Sequence, residues 1–195
     1  MTSFRPQNLM STVTDFDYAY FDDPKALGYR GYDYPEAGHP VKLMWQFIVE
    51  TCRSTQSQTA IDVGCAKGFL VEFLILQEIK AVGFDVSTYA LSFTEALPCH
   101  HHDIRYGLPH SADAVIALGV LMYLEPEILL SVLSKIRRAT RRVFLFSAHY
   151  RENRLRVPDP VRQITEWRTT WRETIESAGF RLTDQFGPLD VYLPR

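Results

Sequence analysis

Apolar positions fall into two rhythms that alternate along the chain. Thr59 to Val63, Ala81 to Asp85, Asp113 to Leu118 and Arg142 to Ser147 are short, nearly continuous apolar runs, the pattern of strands buried on both faces. Between them apolar residues recur every three or four positions. Val41, Met44, Phe47, Ile48 and Thr51 share one face of a helix over 41–52, a second helix opens near Phe69, and STYALSFTEAL at 87–97 reads as a third. LPCHHHDI leads through a short third strand to Asp103 and Ile104. Pro126 opens a further helix where its missing N–H costs nothing, and Ile128, Leu129, Val132, Leu133 and Ile136 form its buried stripe. A capping box at Thr170-x-x-Glu173 announces the last helix, with Trp171, Ile175 and Ala178 inward and Gly179 as its stop. Arg181 to Phe186 and Leu189 to Leu193 follow as closing strands. Strands alternating with helices predict an α/β fold around a mostly parallel sheet with helices on both faces.

The stretch TAIDVGCAKGFLVEFLIL, from Thr59 to Leu76, joins a strand, a glycine turn and a helix, the entry to a Rossmann-like nucleotide fold. Gly64 allows a sharp turn, Gly68 lets the helix start close to the strand, and the helix's first turn offers N–H groups to a ligand. A dinucleotide fingerprint, G-x-G-x-x-G, would put its third glycine at Phe69; here Gly64, Ala66 and Gly68 make G-x-A-x-G instead. Asp85 ends the next strand, about 20 residues on, where an acid accepts both hydroxyls of a ribose.

AIDVGCAKGF and AVGFDVS, followed by HHDI at 101–104 and DAVIALGVLMYL at 113–124, resemble in order and spacing the motifs of class I S-adenosylmethionine (SAM) dependent methyltransferases, over roughly residues 40–150. The resemblance implies a seven-stranded, mostly parallel sheet with one antiparallel strand in its edge region, and SAM as cofactor. It implies cofactor contacts from Tyr20, Arg30, Asp62, Gly64, Cys65, Gly68, Asp85, Val86, Asp103, Ile104, Leu118 and Gly119, with Asp103 accepting from the adenine amino group and Ile104 packing on the ring. Where many small-molecule members carry a Glu-His pair, this chain has Met122 and Tyr123, so a histidine base is absent there.

Residues 1–39 have no clear period but hold Phe16, Phe21 and tyrosines at 18, 20, 29, 32 and 34 among breakers such as Gly28, Gly31 and Pro35. YRGYDY at 29–34 resembles a tyrosine-rich stretch that folds over the cofactor in one subgroup of these enzymes. A sulfonium cannot accept a hydrogen bond, so aromatic faces suit it, at ~0.5–2 kcal/mol per contact. The same rings would also serve as cover for the open side of the core. Arg30 would offer a carboxylate a bidentate fork, or form a surface ion pair. The expected organisation is one domain, with 1–39 as a lid arm on a core of 40–195.

The catalytic candidates are Tyr29, Tyr123, His149 and Tyr150. His149 and Tyr150 follow the fifth strand at the sheet edge where ligands bind, His149 as base and the tyrosines as positioning groups; packing or surface roles are the alternative. Successive histidines at 100–102 point to opposite faces of an extended segment, which argues against a metal site.

Composition narrows the picture further. Net charge is −2 with the signs mixed, giving no electrostatic case for nucleic acid or membrane partners. Cys52, Cys65 and Cys99 lack paired spacing, MTSFRPQNLM has no apolar leader core, and Ala114 to Leu124 is too short to span a bilayer, all consistent with a cytoplasmic protein. Three functions fit: methyl transfer from SAM to a small-molecule acceptor; cyclisation of SAM alone to a four-membered, azetidine-2-carboxylate type amino acid plus methylthioadenosine; and a non-catalytic SAM-binding regulator. The acceptor and the oligomeric state are left open.

Overall fold

The computed structural model describes residues 16–23, 32–36, 38–152, 159 and 161–195. In chain order the elements are α1 (Tyr18–Phe21), α2 (Pro40–Ser54), β1 (Thr59–Val63), α3 (Phe69–Leu76), β2 (Lys80–Asp85), α4 (Thr88–Leu91), β3 (Cys99–His101), β4 (Ala112–Leu118), α5 (Pro126–Ala139), β5 (Thr140–Ser147), α6 (Arg168–Ser177), β6 (Phe180–Phe186) and β7 (Leu189–Pro194). Short 3-10 turns lie at Ile104–Tyr106 and Leu121–Tyr123.

The seven strands form one sheet in the order β3-β2-β1-β4-β5-β7-β6. β1 pairs in parallel with β2 and β4, and β4 with β5, while β7 runs antiparallel to both β5 and β6. The order reverses beside β1, where successive crossovers leave in opposite directions and open a crevice at the carboxyl ends of the strands. The expected sheet, with its antiparallel strand near one edge, is therefore present.

Alternation along the strands feeds two cores. Ile61, Val63, Val115 and Ala117 join Leu129, Leu133, Phe144, Trp171 and Tyr192 on the α5–α6 side. Ala60, Ala114, Ile116 and Leu145 join Trp45, Ile48, Val71 and Leu74 on the α2–α3 side. Among the described residues no helix is long and apolar enough to cross a membrane.

Two elements differ from expectation. The helix expected over 87–97 ends at Leu91: the Ser92 and Thr94 hydroxyls turn back onto the carbonyls of Tyr89 and Leu91, and Pro98 follows. The expected Thr170 capping box is not formed. α6 begins three residues earlier, after Trp167, which makes no side-chain cap, and the Arg168 N–H is taken by the Glu152 carboxylate at 3.1 Å.

Candidate functional site

A cavity opens at the carboxyl ends of β2, β1 and β4, bounded by Gly64, Ala66, Asp85, Ile104, Gly119 and Tyr123 among others. Its floor is shaped by backbone. Gly64 turns with φ of +71°, and a Cβ there would stand 2.5 Å from Val120 Cγ2, so no other residue fits without displacement. Ala66 adopts φ of +48°, and its N–H donates to Asp85 Oδ2 at 2.8 Å. Asp85 Oδ1 accepts the Ser87 N–H at 2.7 Å. Burial pushes the Asp85 carboxyl above its ordinary pKa, partly opposed by the N–H groups of Ser87, Ala66 and Val86.

Beyond Asp85 the wall continues through Val86, His102, Asp103, Ile104 and Leu108. Asp103 caps its 3-10 turn through the Arg105 N–H at 2.9 Å and receives the Arg105 guanidinium at 2.7 Å. Desolvation pushes its carboxyl up, but the bonds from Arg105 outweigh that and leave its pKa lowered.

The opposite wall comes from the amino-terminal arm. Phe16, Tyr20, Phe21 and Tyr32 line the cavity, with Phe16 edge-on to Tyr20 at 5.1 Å and to Tyr123 at 5.2 Å. Asp22 ties the arm to the core. It receives Lys67 Nζ at 2.8 Å, Tyr89 Oη at 2.6 Å and the Tyr32 N–H at 3.1 Å. Lys67, from the glycine turn, is itself buried and lies 4.4 Å over the Phe93 ring. A second tie joins the arm to the segment after β5: Tyr20 Oη lies 2.5 Å from Tyr123 Oη, which donates to Asp159 Oδ2 at 2.8 Å.

Of the residues expected at the site, Tyr20, Gly64, Asp85, Val86, Asp103, Ile104, Leu118, Gly119 and Tyr123 line the cavity. Tyr29 and Arg30 lie outside the described residues. The others are placed elsewhere. Cys65 is buried, its sulfur against Gly83 and close to Cys99 rather than facing the cavity. Gly68 begins α3 in the left-handed region, packed under Leu97, Cys99 and Thr94, and serves the turn. Asp62 is buried and does not form the wall; desolvation, with Cys99 and Asp85 nearby, pushes its carboxyl well up.

Tyr150 turns into the α5–α6 core and donates to the Pro188 carbonyl at 3.1 Å, because β5 carries it past the sheet edge on the side covered by α6. His149, on the opposite side, is exposed and also outside the cavity wall. Partial desolvation and then Arg162 lower its pKa, with Asp159 acting in the other direction.

Sequence reasoning missed Asp22, Lys67, Asp159 and Arg162. Lys67 lies inside AIDVGCAKGF and the other three in no motif, and each gains its place through contacts with other parts of the chain. The aromatic density of the arm was the signal available for Phe16 and Tyr32.

No family model matches the chain, and no curated protein matches it in sequence. Solved structures do resemble it. DesVI from Streptomyces venezuelae superposes with a TM-score of 0.67 at 15% identity, covering 81% of this chain and 93% of that one. The fold is that of the class I methyltransferases. Magnesium protoporphyrin IX methyltransferase (ChlM) from Synechocystis PCC 6803, solved with bound S-adenosylhomocysteine (SAH), gives 0.64 at 14% identity over 80% of this chain and 84% of its own. CalS10, an amino pentose methyltransferase from Micromonospora echinaspora solved with SAM, gives 0.62 at 13% over 81% and 93%. Identities this low carry the class I architecture and leave function to the site.

Proposed function

We propose that the chain is an enzyme that binds SAM in the cavity at the β1–β2–β4 edge and transfers its methyl group to a small-molecule acceptor. The observation that carries this is the coincidence, in one cavity, of the Gly64 turn, the Asp85 carboxylate at the tip of β2 and an aromatic wall from the arm. The residues present fit the cofactor. Asp85 accepts ribose hydroxyls, Ile104 and Val86 pack on the base, and Gly119, where a Cβ would meet nothing nearer than Met122 Cε at 3.8 Å, leaves backbone room beside the methionine part. A carboxylate at this position would repel the 2′-phosphate of NADP. Similar folds solved with SAM or SAH support the same assignment.

SAM supplies an electrophilic methyl already activated by the sulfonium, so alignment and exclusion of water are the protein's main tasks, worth on the order of 7–11 kcal/mol. Phe16, Tyr20 and Tyr123 exclude water on the arm side, and Asp22 with Lys67 holds the arm in place. Tyr123 is the positioning hydroxyl at the wall, whereas His149 and Tyr150 lie outside it. The whole chain acts as one domain, with residues 1–39 as lid; the magnesium protoporphyrin IX methyltransferase and the amino pentose methyltransferase among the similar folds support a small acceptor.

A second reading, cyclisation of SAM alone, draws on the edge-to-face packing of Phe16 on Tyr20 and Tyr123 across the side from which an acceptor would approach. A dry aromatic site of this kind disfavours the ammonium form of an amine. Mass spectrometry of products separates the two. SAM alone should remain nearly unchanged, with SAH formed only after a metabolite extract is added. Methylthioadenosine from SAM alone, above the uncatalysed background, would replace transfer by cyclisation.

A further inference from the structure

Three segments distant in sequence converge on one carboxylate at the arm side of the cavity. Asp159 Oδ2 accepts Tyr123 Oη at 2.8 Å and lies 3.4 Å from Tyr20 Oη, and the two phenol oxygens are 2.5 Å apart. The Asp159 and Arg162 side chains are only 9% and 6% exposed. Arg162 Nη2 stands 3.5 Å from the same carboxylate oxygen, and its buried Nε has no hydrogen-bond partner among the described residues. The Val161 N–H donates to the other carboxylate oxygen at 3.2 Å.

Hydrogen counting gives this cluster a direction. Each phenol carries one hydrogen. Among the described residues the Tyr123 hydroxyl donates to Asp159 Oδ2 at 2.8 Å, and the Tyr20 hydroxyl lies within reach of Tyr123 Oη and of Asp159 Oδ2. Along these contacts both hydrogens point toward Asp159 rather than into the cavity that the two rings line. A chain of hydrogen bonds ending on a carboxylate polarises each member, which shifts negative charge onto the phenol oxygens. Such a wall attracts a cation that has no lone pair to accept a hydrogen bond, and it gives little to the corresponding neutral ligand.

We propose that Asp159, acting through Tyr123 and Tyr20, is a specificity-determining positioning residue that makes the site prefer the sulfonium of SAM over the neutral thioether of SAH. The inference rests on the SAM assignment above and adds a residue and a discrimination to it. Product release follows directly, because loss of the methyl removes the charge the wall favours. Arg162, the nearest cation among the described residues, stands at the same oxygen but at 3.5 Å against 2.8 Å for Tyr123, so it offsets only part of the carboxylate charge, and His149 is the other titratable group facing the pair.

Calorimetric titration of the full chain with SAM and with SAH tests this without an acceptor. Asp159→Asn retains an oxygen for Tyr123 and removes the charge. It should weaken SAM by about five-fold or more while changing SAH by less than about two-fold. Asp159→Glu should keep much of the preference, and Tyr123→Phe, which leaves the ring in place, should lose it as Asp159→Asn does. Equal weakening of SAM and SAH would make Asp159 a structural tie for the arm and overturn the proposal, as would unchanged binding of both. If Asp159→Asn fails to fold, Tyr123→Phe alone decides. Wild-type protein that binds neither ligand would overturn the SAM assignment itself, a result distinct from a lost discrimination.

Discussion

Two buried carboxylates each gather side chains from several segments, one on β7 and one within the β5–α6 connection. Asp190, on β7, is fully buried and receives Arg168 Nη2 at 2.6 Å and Arg172 Nη2 at 2.9 Å, with Tyr192 Oη at 3.4 Å. Asp159 gathers two tyrosines and a more distant arginine. Around Asp190 the cations are in close bidentate contact and the ring of Tyr150 lies 5.1 Å below the Arg168 guanidinium, so charge is neutralised within the fold. Around Asp159 the closest partners are neutral hydroxyls that line a cavity, so its charge is passed toward a ligand. Similar side chains thus hold the sheet together in one place and shape a binding site in the other, and whether the close partners are guanidinium groups or cavity-lining hydroxyls decides which.

The largest effect expected from this comparison is on stability. Asp190→Ala leaves two arginines facing a buried void and should cost ~3–5 kcal/mol in denaturant unfolding. Protein that remains folded should bind SAM with affinity close to wild type. Loss of SAM affinity without loss of stability would erase the distinction between the two carboxylates.

Neither carboxylate was legible as a hub in the sequence. Asp190 falls inside an apolar strand pattern, LDVYL, and its arginines lie 22 and 18 residues earlier, on a helix whose start was itself misplaced by the Thr170–Glu173 pattern. The β1 turn and β2 tip were legible because they form a recognisable strand-turn-helix-strand unit: the Ala66 N–H meets Asp85 across 19 residues because β1 and β2 are adjacent parallel strands whose spacing the sequence shows. Cys65 and Gly68 shared the same motif yet face away from the cavity, because a turn alternates which side each residue presents and the motif does not say which. His149 and Tyr150 were assigned by strand end alone. Adjacent residues on a strand face opposite ways, and here neither side forms the cavity wall.

The next effect is on binding at the backbone-built end of the cavity. Asp85→Ala should weaken SAM by one or two hydrogen bonds to a charged group, ~1.5–3 kcal/mol each. Unchanged affinity, or NADP binding more tightly than SAM, would contradict the placement of the ribose. The same carboxylate sets a pH dependence. Burial raises its folded pKa above the ordinary 3.8, so it takes up a proton at higher pH than an exposed aspartate on acidification. SAM affinity should therefore begin to fall above that ordinary range. Its contribution to stability has the opposite sign: the ionised, desolvated group destabilises the fold above its folded pKa, and that cost disappears as pH falls. A binding curve that stays flat until the range of an exposed aspartate would remove Asp85 as the controlling group.

The smallest effect separates core from site within one former candidate. Tyr150→Phe removes only the hydrogen bond to the Pro188 carbonyl and should cost ~0.5–1.5 kcal/mol of stability, with SAM binding and turnover unchanged. A fall in turnover larger than the fall in stability would return Tyr150 to the chemistry.

Hydrogen exchange with and without SAM tests most directly whether the cavity has one end built by the sheet and one closed by the arm. Amides of β1 and β2 are held in the parallel ladder and should be slow in both states. Residues 16–23 and 161–164, joined to the core by side-chain ties at Asp22 and Asp159, should slow markedly when SAM is present. Residues 168–194, around Asp190, should not respond. Equal protection of 16–23 and 161–164 with and without SAM would contradict a ligand-closed arm and reduce its aromatic rings to core cover.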